Sequence, residues 1–252
     1  MDARTGGNER FDVIQFSIDQ WRAWAPGLDD ADDWTRWSQD PECASGEPTA
    51  EPVVDFLPAM QRRRMSRLAR MTFQVAWPLA EGQAPMPMVF ASRHGETPRT
   101  FALLSELAER QPLSPTQFSL SVHNAIIGLW SILRSDDSEM TSIAAEGDGL
   151  EHALLEAAGL LAEGAPQVLL VIAEDRPPQA YAPWIDDVPF PYAVALRLRR
   201  GTQWTLSCNT SSAKAPASRW PHALNFLLTL LQGGALCSNL WKGRAWNWQR
   251  AQ

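Results

Sequence analysis

The stretch from residue 114 to residue 178 constrains the fold more than any other part of this chain. A polar start at Ser114 and Pro115 opens an apolar helix, and a short strand-like run follows at 140–144. Next come a turn flanked by glycines, an amphipathic helix and a continuous apolar run at 168–173. A strand, a sharp turn and a helix that returns to a further strand make one α/β unit.

Helical spacing and strand composition define the second half of this unit. The run at 168–173 is apolar throughout, which predicts a central strand covered on both faces. Glu174 and Asp175 follow it and are predicted to be exposed loop carboxylates. His152 lies on the helix between the turn and the strand and is predicted to be structural. The same helix carries a buried stripe of residues at helical spacing, namely Leu150, Leu154, Ala157, Ala158 and Leu161.

These residues resemble the N-terminal half of a β-ketoacyl synthase of the thiolase-like fold. In that family the strand ends in a T-A-C-x-S-G turn, whose cysteine accepts the acyl group. When Gly147 is laid on the glycine of that turn, Ser142 falls on its threonine and Ala144 on its cysteine, while Glu146 falls on its serine. Because Ala144 has no thiol, the resemblance implies that this chain has no acyl-accepting nucleophile.

The resemblance covers most of residues 10–208, and its most specific strings are FASRHGE and SPTQFSLSVHNAIIG, together with the turn that contains Ala144. It is strongest with the short ketosynthase-like group that acts as a chain-length-factor-like subunit, notably in bacterial aryl polyene clusters. The resemblance implies an α/β fold with a mixed, mostly parallel sheet and helices on both faces. It also implies a β-ketoacyl synthase as heterodimer partner, an acyl carrier protein as a further partner, and no cofactor or metal.

A partner interface that also shapes an acyl tunnel follows from the same resemblance. In ketosynthases the segment around the asparagine that matches Asn124 lies at the dimer interface, and the strand at 140–144 would pair across its two-fold axis. Plain core packing is the alternative for Phe118, and His123 is interpreted as an interface histidine. The candidate residues are Gln117, Phe118, Ser121, Asn124, Thr141, Ser142 and Ile143.

A dense basic patch lies in a helix predicted over residues 58–79. One interpretation is a solvated helix face, because runs of charge usually are that. The other is a docking site for an acidic partner such as an acyl carrier protein. The patch comprises Arg62, Arg63, Arg64, Arg67 and Arg70, and the residues expected on the buried face are Met65, Leu68, Val75 and Leu79.

The string Arg93-His94-Gly95-Glu96-Thr97 matches the signature of the histidine phosphatases and supplies an alternative function. In that family the histidine is phosphorylated and the arginine binds the phosphate, but a second histidine, a second arginine and an acid must surround the phosphate. The other histidines of this chain lie in no motif typical of that family. The competing interpretation is a strand-to-loop turn, with a strand at 86–91 before it and Gly95 at the bend.

Composition excludes several classes of function. The chain has 252 residues and a formal net charge of −7, which disfavours general binding of nucleic acid. Cys43, Cys208 and Cys237 show no metal-ligand spacing and are expected to be reduced. No signal-peptide pattern opens the sequence, and the apolar run at 223–231 is too short to cross a bilayer. The expectation is therefore a cytoplasmic protein without a membrane span.

The remaining segments complete the predicted order of elements. A first strand is expected over 11–18, with Trp21 and Trp24 on a short helix after it, and an acidic loop at 29–33 should cap a helix at Trp34. Residues 40–51 are expected to form a loop. A helix over 100–110 should turn four residues inward, and strands at 192–198 and 203–208 should form a hairpin. The four residues are Phe101, Leu103, Leu104 and Leu107.

The end of the sequence gives the expected domain division. Residues 1–210 are predicted to form a thiolase-like half domain, and residues 211–252 a helix at 220–232 with a Trp-rich tail packed on it. The family's second half, which carries the activating histidines, is expected to be missing. A third class of function, an acyl hydrolase that uses Ser142 or Ser121, is disfavoured because the chain has no G-x-S-x-G elbow.

Overall fold

The fold is organised around one mixed β-sheet. The computed structural model describes residues 13–42, 49–185, 187–211 and 218–251, and everything below refers to those residues. Their strands are β1 Ile14–Trp24, β2 Met88–Ala91, β3 Met140–Ile143, β4 Gln167–Glu174, β5 Tyr192–Thr210, β6 Leu236–Trp241 and β7 Arg244–Arg250. The spatial order is β3-β2-β4-β5-β7-β6, and β1 pairs with β5 outside this path.

Helices connect the strands and cover the sheet. The α-helices are α1 Ala31–Gln39, α2 Ala59–Arg62, α3 Arg67–Ala80, α4 Thr97–Ala108, α5 Pro115–Ser119, α6 Ala125–Arg134, α7 Gly149–Glu163 and α8 His222–Leu231. A 3-10 helix occupies Gln179–Trp184. Within the described residues, no helix is long and apolar enough to cross a membrane.

Strand β4 separates two cores, as its continuous apolar sequence predicts. Successive side chains of a strand point to opposite faces, so β4 serves both sides of the sheet. One core contains α7, α8 and the tryptophans of α1, and it receives Val168, Leu170 and Ile172 from β4. The other core contains α3 and α6 and receives Leu169, Val171 and Ala173. The predicted α/β fold with a mixed sheet and helices on both faces is confirmed.

Parallel pairing is confined to one end of the sheet, so the expectation that the mixed sheet would be mostly parallel was wrong. Strand β2 runs parallel to β3 on one side and to β4 on the other. The pairs β4–β5, β1–β5, β5–β7 and β6–β7 are antiparallel. The carboxyl ends of β2, β3 and β4 therefore meet at the same edge of the sheet, where the loops after them converge.

Two expectations about strands were wrong for the same physical reason. Trp21 and Trp24 were predicted on a short helix, but β1 continues through Trp24, which pairs with Ala193 of β5. The hairpin expected around Arg200 and Gly201 is instead one 19-residue strand, β5. Both errors arise because pairing with strands distant in sequence outweighs local turn propensity.

Two helix predictions also need correction. The helix expected over 58–79 breaks at residues 63–66, because the Ser66 side chain caps a new helix, α3, by accepting a hydrogen bond from the backbone N–H of Ala69. Helix α4 begins at Thr97 and buries only Leu103, whereas Leu104 and Leu107 are exposed rather than inward. The acidic loop before Trp34 is confirmed as a cap, since Asp30 and Asp33 form a reciprocal capping box.

The C-terminal tail joins the central sheet. Helix α8 confirms the helix predicted at 220–232, and the Trp-rich residues form β6 and β7, whose Trp246 and Trp248 are buried. Strand β7 pairs with β5 from Trp204 onward. Cys43, Phe11 and the parts of the predicted loop and linker at 43–48 and 212–217 lie outside the described residues.

Candidate functional site

The loop between β3 and α7, residues 144–148, contains Ala144, which was predicted to lie at the position of a ketosynthase's nucleophile. We refer to it as the elbow loop. Ala144 is its first residue and is exposed. Glu146 accepts hydrogen bonds from Trp241 Nε1 (3.1 Å) and Lys242 Nζ (2.6 Å), which lie at the turn between β6 and β7. The hydrogen bonds from Lys242 and then from Trp241 hold the pKa of Glu146 below its ordinary value.

Gly147 allows this hairpin to pack directly on the elbow loop. A Cβ atom at Gly147 would lie 2.5 Å from the ring carbons of Trp241, a distance at which one of the two must shift. The glycine is therefore required by a close approach of a side chain. The β6–β7 turn covers one side of the elbow loop with residues of the same chain.

Asp148 fixes the end of the elbow loop to strand β7. Its carboxylate accepts hydrogen bonds from Arg244 Nε (2.6 Å) and Trp246 Nε1 (3.0 Å). Burial would raise the pKa of Asp148, but these two hydrogen bonds and the charges of His152 and Arg244 outweigh burial and lower it. Asp148 is consequently a buried carboxylate that stays ionised and anchors the hairpin.

Glu151, in the first turn of α7, forms a second buried connection to the C-terminal segment. The residue is 0% exposed and accepts hydrogen bonds from His222 Nδ1 (2.9 Å), Asn239 Nδ2 (2.9 Å) and Trp248 Nε1 (3.2 Å). Glu151 was not predicted from the sequence, although Leu150 and Leu154 place it next to the buried stripe of α7. The position of Glu151 beside this stripe on a helical wheel was the signal that could have predicted its burial.

The predicted turn at 92–97 is a compact structure built around Glu174. Gly95 has φ of +52°, which supplies the predicted bend. Glu174 accepts hydrogen bonds from Ser92 Oγ (3.1 Å) and from the backbone N–H groups of Arg93 and His94. Burial raises the pKa of Glu174 to about 7, against the opposing effect of these donors. Glu174 and Asp175 were expected to be exposed, but both are buried.

Asp187 binds the two residues on which the phosphatase alternative depends. Its carboxylate lies 2.9 Å from His94 Nε2 and 2.6 Å from Arg93 Nη1. Burial would raise the pKa of Asp187, but the His94 and Arg93 contacts lower it. The side chains that would have to accept and bind a phosphoryl group are thus engaged with a carboxylate of the same chain. The histidine phosphatase alternative is not supported.

The residues predicted at a partner interface lie together at the β3 end of the sheet. Phe118 of α5 is 63% exposed, so the alternative of core packing for it was wrong. Asn124 is the N-cap residue of α6 and is exposed. On the same helix Ile132 is 74% exposed. His123 connects this region to β3, because its Nδ1 lies 2.6 Å from Ser142 Oγ.

The other predicted interface residues have contacts within the chain. Gln117 Oε1 accepts a hydrogen bond from Arg99 Nη1 (2.6 Å), and Ser121 Oγ donates to the carbonyl oxygen of Phe118 (2.9 Å). Thr141 Oγ1 donates to Glu156 Oε1 (2.8 Å), and Ile143 is partly buried against the core. No other described strand pairs with the outer edge of β3. We refer to this region as the partner face: Gln117, Phe118, Ser121, Val122, Asn124, Gly128, Ile132, Thr141, Ser142 and Ile143.

The basic patch is only partly free. Arg67 forms an ion pair with Asp175 (2.5 Å), and Arg70 lies 3.5 Å from Glu51. Arg62 pairs with Asp55. Arg63 and Arg64 are exposed and form no ion pair with a described residue.

The mixed sheet, with its elbow loop ahead of a buried helix, has the architecture of the thiolase-like ketosynthase fold. The model of the family described as "Beta-ketoacyl synthase, N-terminal domain" matches residues 34–249, so the chain belongs to this family. A search of curated proteins found no match.

Solved structures agree with this assignment. The chain is similar to a chain of the ketosynthase ApeO in complex with its chain length factor ApeC from Xenorhabdus doucetiae. The two are 30% identical with a TM-score of 0.84, over 94% of this chain and 100% of that one. The ishigamide ketosynthase/chain length factor matches at 12% identity and TM-score 0.62, over 88% of this chain and 73% of that one. The AntDE:AntF complex of a type II polyketide synthase acyl-carrier protein with its ketosynthase matches at 12% identity and TM-score 0.55, over 80% and 70%.

Proposed function

We propose that this chain is a non-catalytic subunit, similar to a chain-length factor, that forms a heterodimer with a β-ketoacyl synthase. Its pathway would be a type II fatty acid or polyketide pathway of the aryl polyene kind. The observation that carries the proposal is the similarity to a chain of the ApeO–ApeC complex, at 30% identity over the whole of that chain.

The partner face supports pairing with another subunit. Strand β3 has four residues and presents an outer edge that no other described strand covers. Such an edge favours pairing with a further strand. The apolar side chains beside it are exposed: Phe118, Val122 and Ile132. Large apolar side chains that are exposed on neighbouring segments are candidates for a protein–protein interface.

Gly128 leaves room for a partner to pack closely on α6. It lies in the middle of α6 and is exposed, and a Cβ atom there would meet no heavy atom within 4 Å. A glycine inside an exposed helix costs about 1 kcal/mol relative to alanine. No contact with a described residue requires that cost. A helix or strand of a partner that packs closely on α6 would require it.

Ala144 supports a role without chemistry. In the alignment based on Gly147 it occupies the position of the acyl-accepting cysteine, and a methyl group is not a nucleophile. We infer that the ketosynthase partner supplies the cysteine and the histidines. This chain would then act through packing, by completing the heterodimer interface and by shaping the tunnel that limits acyl length.

The first test is co-expression with the ketosynthase encoded nearest to this gene, followed by gel filtration and mass analysis of acyl adducts. We expect a one-to-one complex in which acyl groups attach only to the ketosynthase. Condensation activity should vanish when the cysteine of the ketosynthase is replaced. An acyl adduct on this chain, or condensation by this chain alone, would contradict the proposal.

A matched pair of glycine variants tests the partner face itself. Gly128→Leu places a bulky side chain on the partner face, and Gly159→Leu makes the same change on α7, where a Cβ atom also meets open space. We expect Gly128→Leu to weaken the complex by roughly one to two orders of magnitude, since overpacking costs about 1–3 kcal/mol. Gly159→Leu should leave affinity unchanged. Equal affinities for the two variants would show that α6 does not contact the partner.

Tunnel shaping has its own test. Replacing Phe118 or Ser121 with a smaller or larger side chain should shift the length of the product made by the complex. Mass analysis of products from the purified complex measures this shift. Unchanged product lengths in a fully assembled complex would exclude these two side chains from the tunnel.

Docking of an acyl carrier protein is proposed for the free part of the basic patch. Arg63 and Arg64 follow Phe56 and Met60 closely in sequence, and the side chains of Phe56 and Met60 are exposed. Carrier proteins are acidic, and cationic groups at an interface rim raise the association rate. The double substitution Arg63→Glu and Arg64→Glu should raise the KM of the complex for acyl carrier protein and leave heterodimer formation intact. An unchanged KM would remove this surface from the proposal.

A further inference from the structure

A cavity of about 570 Å³ lies at the carboxyl ends of β2 and β4, beside the elbow loop. Its walls come from the elbow loop, the start of β5, the segment that leads into α8 and the β6–β7 turn. Pockets of about 300–1,000 Å³ are the size that holds small-molecule ligands. None of the partner-face residues lines the cavity, so the proposed heterodimer gives it no role.

Tyr192, the first residue of β5, places an unpaired hydroxyl group in the wall of this cavity. The residue is 2% exposed and lies beside Glu174, its partner in the pairing of β4 with β5. Its hydroxyl forms no hydrogen bond with a described residue. The unpaired polar atoms that packing seals within the described residues do not include this hydroxyl oxygen, so it keeps accessible surface. A buried hydroxyl without a partner costs free energy that a ligand in the cavity would recover.

The hydroxyl group of Tyr192 is a neutral hydrogen-bond donor. Burial raises the pKa of Tyr192 well above its ordinary value, and the negative charges of Glu174 and Asp187 raise it further. The group therefore stays protonated at physiological pH. A phenolic O–H donates to an atom that carries a lone pair. Because the two carboxylates lie nearby, a neutral acceptor such as a carbonyl oxygen is more favourable than an anionic one.

The charged side chains of the wall already have partners within the chain. Glu174 accepts hydrogen bonds from Ser92 and from the backbone N–H groups of Arg93 and His94. The other carboxylates of the wall and its arginine and lysine side chains form ion pairs. These pairs are Arg93 with Asp187 (2.6 Å), Lys242 with Glu146 (2.6 Å) and Arg219 with Glu42 (3.1 Å). A charged ligand would lose its hydration without gaining an unpaired counter-charge, so the cavity favours a neutral ligand.

Apolar side chains form much of the remaining wall, and two of them are tryptophans. We infer that the cavity binds a neutral carbonyl compound with a flat apolar ring, whose oxygen accepts a hydrogen bond from Tyr192. The ring would lie against Trp220 and Trp241, since stacked and edge-to-face contacts favour flat rings. Binding at this site is independent of the proposed heterodimer. The apolar residues of the wall include Leu150, Ile172, Trp220, Leu240 and Trp241.

Isothermal titration calorimetry of the full chain tests the inference with three probes of similar size: acetophenone, ethylbenzene and benzoate. Acetophenone has the carbonyl acceptor, ethylbenzene lacks it, and benzoate carries a negative charge. Acetophenone should bind at one saturable site with a dissociation constant below about 1 mM. Benzoate should bind about tenfold or more weakly, because its charge finds no free partner. Absence of saturable acetophenone binding, or benzoate binding as tightly as acetophenone, would overturn the inference.

Tyr192→Phe removes the donor and keeps the ring. The ratio of acetophenone affinity to ethylbenzene affinity should fall about three- to tenfold in this variant, because only acetophenone loses a hydrogen bond. The matched control is Tyr181→Phe, at the other tyrosine of the chain, which lies on the 3-10 helix and does not line the cavity. The ratio should keep its wild-type value in the control. An unchanged ratio in Tyr192→Phe, or an equal fall in both variants, would contradict the role of Tyr192.

Two further measurements separate ligand binding from folding. Without ligand, Tyr192→Phe should unfold at the wild-type temperature or above it, because the hydroxyl has no partner among the described residues. A lower unfolding temperature would show that the hydroxyl is bonded within the chain, which would overturn the inference. Ala145→Leu adds bulk to the cavity wall and should abolish acetophenone binding. Wild-type affinity in folded Ala145→Leu would contradict the assigned cavity.

Discussion

The two ends of the sheet differ in whether residues of the same chain cover them. At the β6–β7 end, the chain covers its own elbow loop, and Asp148 and Glu151 bind partners from the C-terminal segment. At the β3 end, the outer edge has no described strand beside it, and Phe118 and Ile132 are exposed. The difference teaches that one end of the sheet is completed by contacts within the chain, while the other end keeps the exposed surface proposed for a partner.

The largest expected effect concerns the β6–β7 end of the sheet, where contacts within the chain complete the structure. Glu151→Ala should lower the free energy of unfolding by about 3–5 kcal/mol, because it leaves His222, Asn239 and Trp248 with buried donors that have lost their acceptor. Urea denaturation measures the change. The control Glu163→Ala, at an exposed position of the same helix, should stay within about 0.5 kcal/mol of wild type. A similar loss in both variants would show that the network has no special role.

The second effect depends on pH. Burial raises the pKa of Glu174 from its ordinary 4.5 to about 7, so the folded state holds the proton more tightly than the unfolded chain. The stability that this provides is present below pH 4.5 and is lost as pH rises through about 7. At about 1.4 kcal/mol per pKa unit, the loss is about 3 kcal/mol.

Glu174→Gln removes the ionisation and sharpens this test. Between pH 5 and pH 8, where most of that loss falls, wild type should lose about 2–3 kcal/mol more than Glu174→Gln in urea denaturation. Glu139→Gln, at an exposed position, should keep the wild-type pH dependence. The same pH slope in wild type and in Glu174→Gln would mean that Glu174 titrates near its ordinary pKa.

The third and fourth effects come from the same type of substitution, glycine to alanine, made once at each end of the sheet. Gly147→Ala should destabilise the chain by about 1–3 kcal/mol, because the added methyl group meets the ring of Trp241. In a Trp241→Ala background most of that cost should disappear, which a double-mutant cycle measures. Additive losses in the cycle would refute the contact between the two residues.

Gly128→Ala should have the smallest effect and the opposite sign. A Cβ atom at Gly128 would meet no heavy atom of the described residues within 4 Å, so alanine there should stabilise the chain by about 0.5–1 kcal/mol through its better helix propensity. Thermal or urea unfolding of the chain without its partner measures the gain. A loss of stability would place a contact at Gly128 within the chain and would remove the contrast between the two ends.

Local patterns predicted the centre of the fold well. The buried stripe of α7 and the apolar run of β4 can both be recognised within a few consecutive residues. Their apolar composition then predicts that they are buried. The path of β1 and β5 was not predictable in this way, because Trp24 pairs with Ala193 across most of the sequence. No local signal encodes such a pairing.

The candidate site was predicted only where the resemblance supplied it. Ala144 and the partner face rest on matched motifs and stay predictions, and the contact of His123 with Ser142 joins the segment before α6 to β3. Glu174 was placed wrongly because the groups that bury it, at residues 92–94, are about 80 residues away in sequence. Leu104 and Leu107 were placed wrongly because periodicity identifies an apolar face but does not say what covers it.

The pairing of β1 with β5, which are far apart in sequence, has a consequence for biosynthesis. Ile14 at one end of β1 pairs with Leu206, so β1 leaves the ribosome long before the strand that completes it. Closing so long a loop delays the formation of the sheet until β5 has been synthesised. During that interval β1 exposes an unpaired edge that is prone to aggregation. Fragments that stop before residue 193 therefore lack every pairing partner of β1, and we expect chaperones to hold the nascent chain until β5 emerges.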